Sequence, residues 1–478
     1  MRVLVAIANY GAKNDRYLAE LLAEYRSMSY QVDIVVLSDV AKESGPGVEL
    51  AVGLPNKDPW SLPFAHKQLF ADRLDGYDLF IYSEDDVLIT EKNIQAFLRV
   101  NRNLREDEVP GFLRFEGSAN GELNYPEAHG RFHWDPQTVR SRGEYTLAVF
   151  TNEHSACYML SRAQLRAAID SRGFLTGPHQ GKHDLLCTAA TDPYTQCGFQ
   201  KLICISHLDE FLVHHLPNRY IGSRFGVGER ELRRQVATLL QIGRSGQQAT
   251  SLFQTETKLA GGRYSKDYYE PVRLDLISAI PSAARSVLSI GCGWGSTESQ
   301  LAKMGLRVAA VPLDPVIPGG AEAGGIEIIN GDLSSARRDL ADRKFDCLLL
   351  SNVLHLVPNP VDALSSYASL LSDGGVAIAV APNMAGLQAT WKLLLGDGSF
   401  SARGGYEKTG VHRVSRRILE SWFRSAGMKI VKIEEITHMD PERSTKVRRI
   451  ASRLPASWMA DEFVVVARRH SDSRFASQ

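Results

Sequence analysis

Three carboxylates in a row, Glu84, Asp85 and Asp86, directly follow the apolar run Leu79–Tyr82. Adjacent acids at the end of a strand repel one another unless a cation is present, and removing one of them should then slightly raise the thermal stability of the ligand-free chain. Hard carboxylate oxygens suit Mg²⁺ or Mn²⁺, which could bridge to a diphosphate. An acidic, solvent-exposed turn is the alternative, and the motif alone does not decide between the two.

Two further features of the first half could serve the same chemistry. His214 and His215 lie in the apolar segment 211–218, and a neutral imidazole is an acceptable ligand for Mn²⁺. Asp184 precedes the apolar sequence Leu185–Cys187, where its carboxylate could act as a general base. The same position suits an N-cap of a helix, so both roles stay open for Asp184.

A glycine-rich turn, Gly291, Gly293 and Gly295, dominates the second half and follows the apolar run Val287–Ile290. Glycine has no Cβ, so such a turn lets the backbone approach a cofactor closely. A helical run follows at 298–304. The glycines alternate with single residues, whereas a dinucleotide-binding dehydrogenase would prefer the longer GxGxxG spacing.

Polar residues recur at the ends of the later strands of this half. Asp314 ends the second strand, where a carboxylate can accept hydrogen bonds from both hydroxyls of a ribose. Asp332 ends the third strand, where it could accept from an adenine amino group. Asn352 and His355 follow the fourth strand, and His412 lies shortly before an amphipathic helix. Each histidine could serve as a base or simply as a structural residue.

Short apolar runs alternate with helical patterns in both halves, which predicts two α/β domains with largely parallel sheets. The runs are Val3–Ala8, Val32–Leu37, Leu79–Tyr82, Gly111–Phe115 and Ala148–Leu160, then Val287–Ile290, Arg307–Val311, Ile326–Ile329, Cys347–Leu350 and Val376–Val380. We expect domains at 1–225 and 263–470, a helical connector at 226–262, and a disordered tail at 471–478.

Composition narrows the classes of function. Among the 478 residues there are 55 Lys and Arg and 55 Asp and Glu. The chain therefore has no excess of positive charge that would indicate a nucleic-acid ligand. The six cysteines form no CxxC pair, which argues against a zinc or redox site. No apolar stretch has the length of a membrane span, and the N-terminal apolar run is too short for a signal peptide. We therefore expect a cytoplasmic protein without an integral membrane segment.

The order of the motifs over about residues 265–470 resembles that of class I S-adenosylmethionine (SAM) methyltransferases, which have a Rossmann-like fold. The resemblance implies that SAM is bound by Gly291, Gly293, Gly295, Asp314 and Asp332. Asn352 and His355 would then lie beside the methyl group, and His355 or His412 would be the base for an oxygen acceptor. The chain departs from the family at Ser289, where these enzymes usually carry Asp or Glu.

About residues 1–225 resemble glycosyltransferases of the GT-A fold, whose DXD-type acidic motif corresponds to Glu84, Asp85 and Asp86. The resemblance implies a divalent metal, Mn²⁺ or Mg²⁺, and a nucleotide-sugar donor. It also implies a nucleobase near Asn9 and Tyr10, and a late histidine, His214 or His215, that returns to the metal. The stereochemical outcome of transfer stays open.

Together these features predict one polypeptide with a glycosyltransferase and a methyltransferase that act on a glycan or glycolipid acceptor. Synthesis of a surface polysaccharide or glycolipid, with O-methylation of a sugar hydroxyl, is the natural setting, because tethering raises the local concentration of the second site. One alternative is a methyltransferase whose N-terminal domain only binds sugar. Another is a scaffold without turnover at either site.

Overall fold

The computed structural model describes residues 1–43, 45–246, 249–386, 405–437 and 456–470. The chain divides into two compact units, Met1–Gln248 and Ala249–Gln478. The predicted tail at 471–478 lies outside the described residues. No helix in the described ranges is both long enough and apolar enough to cross a bilayer.

Unit 1 alternates strands and helices at its beginning and becomes richer in strands later. Its strands are β1 Arg2–Asn9, β2 Gln31–Ser38, β3 Val48–Val52, β4 Leu79–Glu84, β5 Val87–Leu88, β6 Glu108–Pro110, β7 Leu113–Gly117, β8 Leu123–Tyr125, β9 Trp134–Arg142, β10 Tyr145–Phe150, β11 Cys157–Ser161, β12 Gln200–Cys204, β13 Leu212–His215 and β14 Val227–Gly228. Its α-helices are α1 Asp15–Ser27, α2 Ala65–Asp72, α3 Glu91–Asn101, α4 Arg162–Asp170, α5 Leu185–Thr195 and α6 Glu229–Ser245, with 3₁₀ turns at Pro59–Phe64, Leu74–Gly76 and Ile205–Glu210.

The main sheet of unit 1 has the order β11-β4-β1-β2-β3. The strands β1 to β4 run parallel, and β11 is antiparallel to β4. Every residue of β1 from Val3 onward is buried, as expected for a central parallel strand that is covered on both faces. After β3 the chain returns to the other side of β1 to form β4, so the direction of sheet growth reverses between β1 and β4.

Two smaller sheets complete unit 1, with the orders β6-β12-β10-β9 and β14-β8-β7-β13-β5. The predicted strand Ala148–Leu160 is wrong as a single element: it is divided between β10 and β11, which belong to different sheets. The break coincides with Asn152–Ala156, where Ala156 has a positive φ of 55° that a continuous strand cannot contain.

The predicted connector at 226–262 also requires correction. Helix α6 lies against β9, β10, β8 and β14 of unit 1, and it buries Leu232, Val236 and Leu239 there. Residues 249–262 instead belong to unit 2. The polar composition of α6 suggested a linker, but its apolar residues recur with helical spacing and supply one packed face.

Unit 2 contains strands β15 Ser286–Cys292, β16 Arg307–Pro312, β17 Glu327–Ile328, β18 Phe345–Ser351, β19 Leu371–Pro382, β20 Met428–Ile436 and β21 Glu462–Arg469. Its helices are α7 Leu274–Ala279, α8 Ser296–Lys303, α9 Gly319–Ala323, α10 Leu333–Asp339, α11 Pro360–Ala368, α12 Gly405–Thr409, α13 Arg416–Ser425 and α14 Ala456–Met459, with a 3₁₀ turn at Ala260–Gly262.

These strands form one sheet with the order β17-β16-β15-β18-β19-β21-β20. The first five are parallel, whereas β21 is antiparallel to both of its neighbours. Growth of the sheet reverses between β15 and β18, as it does between β1 and β4 in unit 1. The predicted parallel α/β core is therefore confirmed for unit 2.

Candidate functional site

The acidic cluster of unit 1 lies at the carboxyl end of β4, beside the end of β1. Ala8 of β1 is paired with Glu84 of β4. In open α/β sheets, ligands bind outside the carboxyl ends of the strands at the point where strand order reverses. The three carboxylates and the β1 end therefore occupy the position where this topology opens a crevice.

Asp85 is held by two side-chain amides at the base of this crevice. Asn9 donates to Asp85 Oδ2 and Asn14 donates to Asp85 Oδ1, each over 2.7 Å. Burial raises the pKa of Asp85 to about 7, although both amide hydrogen bonds act in the opposite direction. Because each carboxylate oxygen already has a short partner, Asp85 orients the strand end and is a poor candidate for a metal ligand.

Asp86 differs from Asp85 because one of its oxygens faces no partner. Oδ1 is buried without a hydrogen bond to any described residue, while Oδ2 lies 3.6 Å from His215 Nε2 and 3.7 Å from an Arg219 guanidinium nitrogen. Burial opposes ionisation of Asp86, but the pKa is lowered overall by His215 and then by Arg219. Asp86 is therefore an ionised carboxylate with coordination capacity to spare.

His215 is oriented by a second carboxylate. Its Nδ1 lies 2.6 Å from Glu116 Oε1, which leaves Nε2 directed at Asp86. Metal-binding histidines characteristically donate their second ring nitrogen to a carboxylate in this way. The separation of 3.6 Å between Nε2 and Asp86 Oδ2 is too long for a hydrogen bond but fits two ligands of one cation.

Glu84 points toward a different neighbour. Its Oε1 lies 3.4 Å from His154 Nε2, and Glu84 lines the crevice next to Asp85 and Asp86. Burial raises the pKa of Glu84 to about 7, and the charge of Asp86 adds to the effect. The repulsion predicted from the sequence therefore raises the pKa of Glu84, whereas the pKa of Asp86 is lowered.

His214 is not brought to the acidic cluster, which corrects its assignment as a metal ligand. Its ring stacks on Phe115 with centroids 4.8 Å apart, and its Nε2 lies 3.4 Å from Asn218 Oδ1. Successive side chains of a strand point to opposite faces, so β13 can direct only one of its two histidines at Asp86. Among the described residues, no three Cys, His, Asp or Glu side chains form a preassembled metal cluster.

A pocket of about 570 Å³ opens over the carboxylates. Two exposed aromatic side chains, Tyr10 and Trp60, line it together with Lys13 and Arg219. Aromatic faces can stack on a planar base, and Lys or Arg can neutralise phosphate. The sequence predicted Tyr10 near a nucleobase. It did not predict Trp60, Lys13 and Arg219, because these residues belong to no recognisable motif.

Asp184 caps helix α5: its Oδ1 accepts the backbone N–H of Cys187 over 2.8 Å. The structural role that the sequence left open is therefore present. Asp184 remains exposed, and its charge contributes to the raised pKa of Glu84, so it lies close to the acidic cluster. Leu186, in the first turn of the same helix, lines the pocket. Capping and a catalytic role thus remain compatible for Asp184.

In unit 2 the glycine turn joins β15 to α8, and its three glycines are needed for different reasons. Gly291 and Gly295 have φ of 77° and 96°, which favour glycine. A Cβ on Gly293 would lie 2.3 Å from the carbonyl oxygen of Tyr268, which also accepts the N–H of Trp294. The turn is therefore packed under the preceding chain segment.

The two predicted carboxylates follow the second and third strands of unit 2: Asp314 comes after β16, and Asp332 lies beyond the end of β17, at the start of α10. Asp314 is buried after β16, and its Oδ1 accepts the N–H groups of Val316 and Ile317 over 2.7 and 3.0 Å. Asp332 caps α10 and accepts N–H groups from Ser334 and Ser335, each over 2.8 Å. Both side chains are thus fixed by backbone donors at the carboxyl edge of the sheet.

A chain segment before α7, Lys266–Arg273, is fastened to this edge by charged groups that the sequence did not single out. Lys266 Nζ donates to Glu270 Oε2 and to the Ser351 carbonyl over 2.7 and 2.8 Å. Glu270 Oε1 accepts from Asn352 over 3.0 Å. Burial opposes ionisation of Glu270, but the charge of Lys266 lowers its pKa. Asn352, a predicted cofactor contact, thus lies in a polar network.

The two candidate bases of unit 2 are bound to backbone carbonyls. His355 is buried, and its Nε2 donates to the Tyr264 carbonyl over 2.9 Å, while its Nδ1 has no partner among the described residues. Burial lowers the pKa of His355 to about 4. His412 Nε2 donates to the carbonyls of Val357 and Pro358, and its ring stacks on Tyr406. These contacts give His412 a structural role.

Comparison with known proteins bears on unit 2. Residues 251–433 match the family model of a methyltransferase domain. Over 201 residues the chain is 28% identical to a ubiquinone biosynthesis O-methyltransferase of Xanthomonas axonopodis pv. citri, which covers 40% of this chain and 81% of that protein. The corresponding enzyme of Xylella fastidiosa is also 28% identical, over 40% of this chain and 78% of its own length.

Solved structures of methyltransferases also resemble part of the chain. A SAM-dependent methyltransferase from Archaeoglobus fulgidus aligns with 18% identity and a TM-score of 0.32, over 41% of this chain and 91% of that one. The N-methyltransferase NodS of Bradyrhizobium japonicum, in complex with S-adenosyl-L-homocysteine, aligns with 13% identity and a TM-score of 0.29, over 41% and 85%. The C-terminal part of the chain contains a SAM-dependent methyltransferase domain.

Proposed function

We propose that the chain is a bifunctional enzyme that transfers a sugar from a nucleotide-sugar in unit 1 and a methyl group from SAM in unit 2. The observation that carries the first half is Asp86. Its buried Oδ1 has no hydrogen-bond partner in the described part of the chain, and it lies where the strand order of a parallel sheet reverses. The pocket above it is lined by two aromatic side chains and two cations. A nucleoside diphosphate-sugar combines a planar base, a diphosphate and a need for a counter-cation.

The residues present fit a divalent cation bound together with substrate. Asp86 and His215 would hold Mn²⁺ or Mg²⁺, and Glu116 would fix the imidazole. Mg²⁺ is commonly held by one or two carboxylates plus substrate phosphates, so a protein cage is not required. The bound ion would neutralise the charge of the diphosphate leaving group. Lys13 and Arg219 would supply further positive charge there.

Asp184 is our candidate for the base that takes the proton of the acceptor hydroxyl. It is exposed near Glu84, and its backbone hydrogen bond holds the carboxylate in one orientation. A base must lie within hydrogen-bond reach of the proton that it removes. Asp184 would meet this condition for a hydroxyl that is bound beside Leu186, which lines the pocket from the same helix.

In unit 2, Gly291, Gly293, Gly295, Asp314, Asp332 and Asn352 would form the cofactor site at the carboxyl ends of β15, β16 and β18. Bound SAM supplies an electrophilic methyl group on sulfur. The chain then has to hold the acceptor in line and exclude water. His355 is the candidate base, because Nε2 carries the hydrogen and Nδ1 keeps its lone pair. The similarity to ubiquinone biosynthesis O-methyltransferases favours an oxygen acceptor.

Because both proposed reactions occur on one chain, a glycan or glycolipid that is first extended and then O-methylated on a sugar hydroxyl is the substrate class we infer. Biosynthesis of a surface polysaccharide or glycolipid by a cytoplasmic enzyme is the setting that this pairing suggests.

Isothermal calorimetry on the full chain tests both halves of the proposal. S-adenosylhomocysteine should bind without metal, and one member of a nucleotide-sugar panel should bind only with Mn²⁺ and be turned over. Nucleotide-sugar binding without metal dependence or turnover would replace the glycosyltransferase with a sugar-binding domain. Failure to bind either ligand would leave a scaffold protein.

A further inference from the structure

A buried carboxylate of unit 2 forms no ion pair with any residue that the structure describes. Glu298 lies in the first turn of α8, directly after the glycine turn, and its side chain accepts the hydroxyl of Ser289 over 2.6 Å. Only 7% of Glu298 is exposed. No Lys, Arg or His among the described residues forms an ion pair with it.

The neighbouring charges do not compensate for Glu298. The two cations of this region already face other carboxylates, since Lys266 pairs with Glu270 and Arg273 contacts Glu270, Asp275 and Glu462. Among the residues that the structure describes, neither cation forms an ion pair with Glu298. Buried charges are normally paired, because an isolated ion loses its hydration without compensation. The buried carboxylate of Glu298 therefore favours a positively charged ligand.

Glu298 is also placed to act on a ligand of the glycine turn. It lines a narrow cleft together with the three glycines of the turn and with the ion pair of Lys266 and Glu270. The cleft volume of about 10 Å³ admits roughly one water molecule. Its partner Ser289 is the strand position at which the related methyltransferases usually carry an acid. The carboxylate that the strand lacks is thus delivered to the same place from the helix.

We infer that Glu298 provides the negative charge that binds the α-ammonium group of SAM, and that Ser289 holds its carboxylate in position. The inference rests on the SAM site proposed above. Glu298 would act directly or through one water in the cleft. The ligand class is an adenosine that carries an amino-acid zwitterion. Glu298 would contact the ammonium group of that zwitterion.

Two ligands distinguish a loss of ammonium binding from a general disruption of the SAM site. S-adenosylhomocysteine carries the α-ammonium group, whereas 5′-methylthioadenosine has the same nucleoside without the amino-acid part. In calorimetry on the full chain, Glu298→Gln should lower the affinity for S-adenosylhomocysteine by about tenfold or more, as expected when a hydrogen bond to a charged group is lost. The affinity for 5′-methylthioadenosine should not change.

Three further variants keep the test decisive. The double variant Ser289→Asp with Glu298→Gln, which returns an acid to the strand, should recover most of the affinity. If Glu298→Gln does not fold, Ser289→Ala takes its place in the test. This variant only releases the Glu298 carboxylate, and it should weaken the binding of S-adenosylhomocysteine by a smaller factor. The exposed Glu322→Gln of the same unit should bind like the wild type.

The outcomes also separate this inference from the proposed SAM site. An unchanged affinity of Glu298→Gln for S-adenosylhomocysteine, or an equal loss for both ligands, would overturn the inference about Glu298. A wild-type chain that binds neither ligand would instead overturn the SAM site itself.

Discussion

The carbonyl oxygen of Tyr268 lies where a side chain of Gly293 would begin, 2.3 Å from an added Cβ. The sequence indicates a glycine there because the turn must approach a cofactor. The structure adds a second reason that does not depend on the cofactor: the segment before α7 is packed onto the turn, and its carbonyl accepts the N–H of Trp294 over 2.8 Å.

We therefore predict that Gly293→Ala already disturbs the site. A methyl group must displace the backbone at Tyr268, and overpacking of this kind costs about 1–3 kcal/mol. Binding of S-adenosylhomocysteine should be lost in calorimetry, and the melting temperature should fall. Gly305→Ala is the control, since it strains a φ of 88° in open space and should lower stability without affecting binding. Retained affinity in Gly293→Ala would contradict this packing argument.

Asp86→Asn should abolish Mn²⁺-dependent turnover of the nucleotide-sugar, because an amide cannot provide the second anionic oxygen. The expectation that removing this charge raises thermal stability is revised, since His215 and Arg219 compensate Asp86 in the fold. A small decrease in melting temperature should accompany the loss of activity. Asp75→Asn, whose side chain is 84% exposed, is the matched control and should retain activity. Full activity of Asp86→Asn would remove the carboxylate from the proposed metal site.

Asp85→Asn should behave differently, although it is the adjacent residue. Both oxygens of Asp85 accept amide N–H groups from Asn9 and Asn14, so a new amide would direct a donor at a donor. An unsatisfied buried donor costs about 1–3 kcal/mol. The melting temperature should fall with and without Mn²⁺. A variant as stable as the wild type would show that these hydrogen bonds do not support the strand end.

The parallel cores of both units were predictable because their strands are buried on both faces and read as continuous apolar runs. Which of the two histidines, His214 or His215, faces Asp86 could not be predicted from the sequence. The two histidines alternate on β13, and only the pairing of that strand with β5 and β7 decides which ring faces Asp86.

Residues contributed by turns and irregular segments were equally inaccessible. Trp60 lies in a 3₁₀ turn, and Glu116 reaches His215 from 99 positions earlier in the chain. Neither belongs to a motif, and each is brought to the site by tertiary packing. Ser289 marked a missing acid in the sequence, but its proposed replacement by Glu298 depends on the turn that brings the first residues of α8 back to β15.

Asp184 offers a test in which stability and catalysis separate. Asn is as good an N-cap as Asp, whereas Ala is poor and typically costs about 1 kcal/mol. Asp184→Asn should therefore keep the melting temperature of the wild type but lose glycosyl transfer, because an amide cannot accept a proton. Asp184→Ala should lose both. If Asp184→Asn transfers sugar at the wild-type rate, Asp184 is only a helix cap, and the base lies elsewhere.

The pH dependence of unit 2 should reveal the buried imidazole of His355. Burial lowers its pKa from 6.5 to about 4, so between these values the unfolded chain binds a proton that the folded chain does not. Stability should therefore fall as the pH decreases from 6.5 towards 4, with a slope of up to about 1.4 kcal/mol per pH unit for one proton. Above pH 6.5 both states are neutral at His355, and this contribution should be constant.

His66 of unit 1 is also buried with a pKa lowered to about 3, so the wild-type curve alone cannot isolate His355. The informative quantity is the difference between the wild type and His355→Gln, which does not titrate and keeps an N–H donor for the Tyr264 carbonyl. Thermal melts of both proteins between pH 4 and pH 7.5 should converge at the acidic end and separate at neutral pH. Parallel curves over the whole range would show that His355 is not kept neutral by the fold.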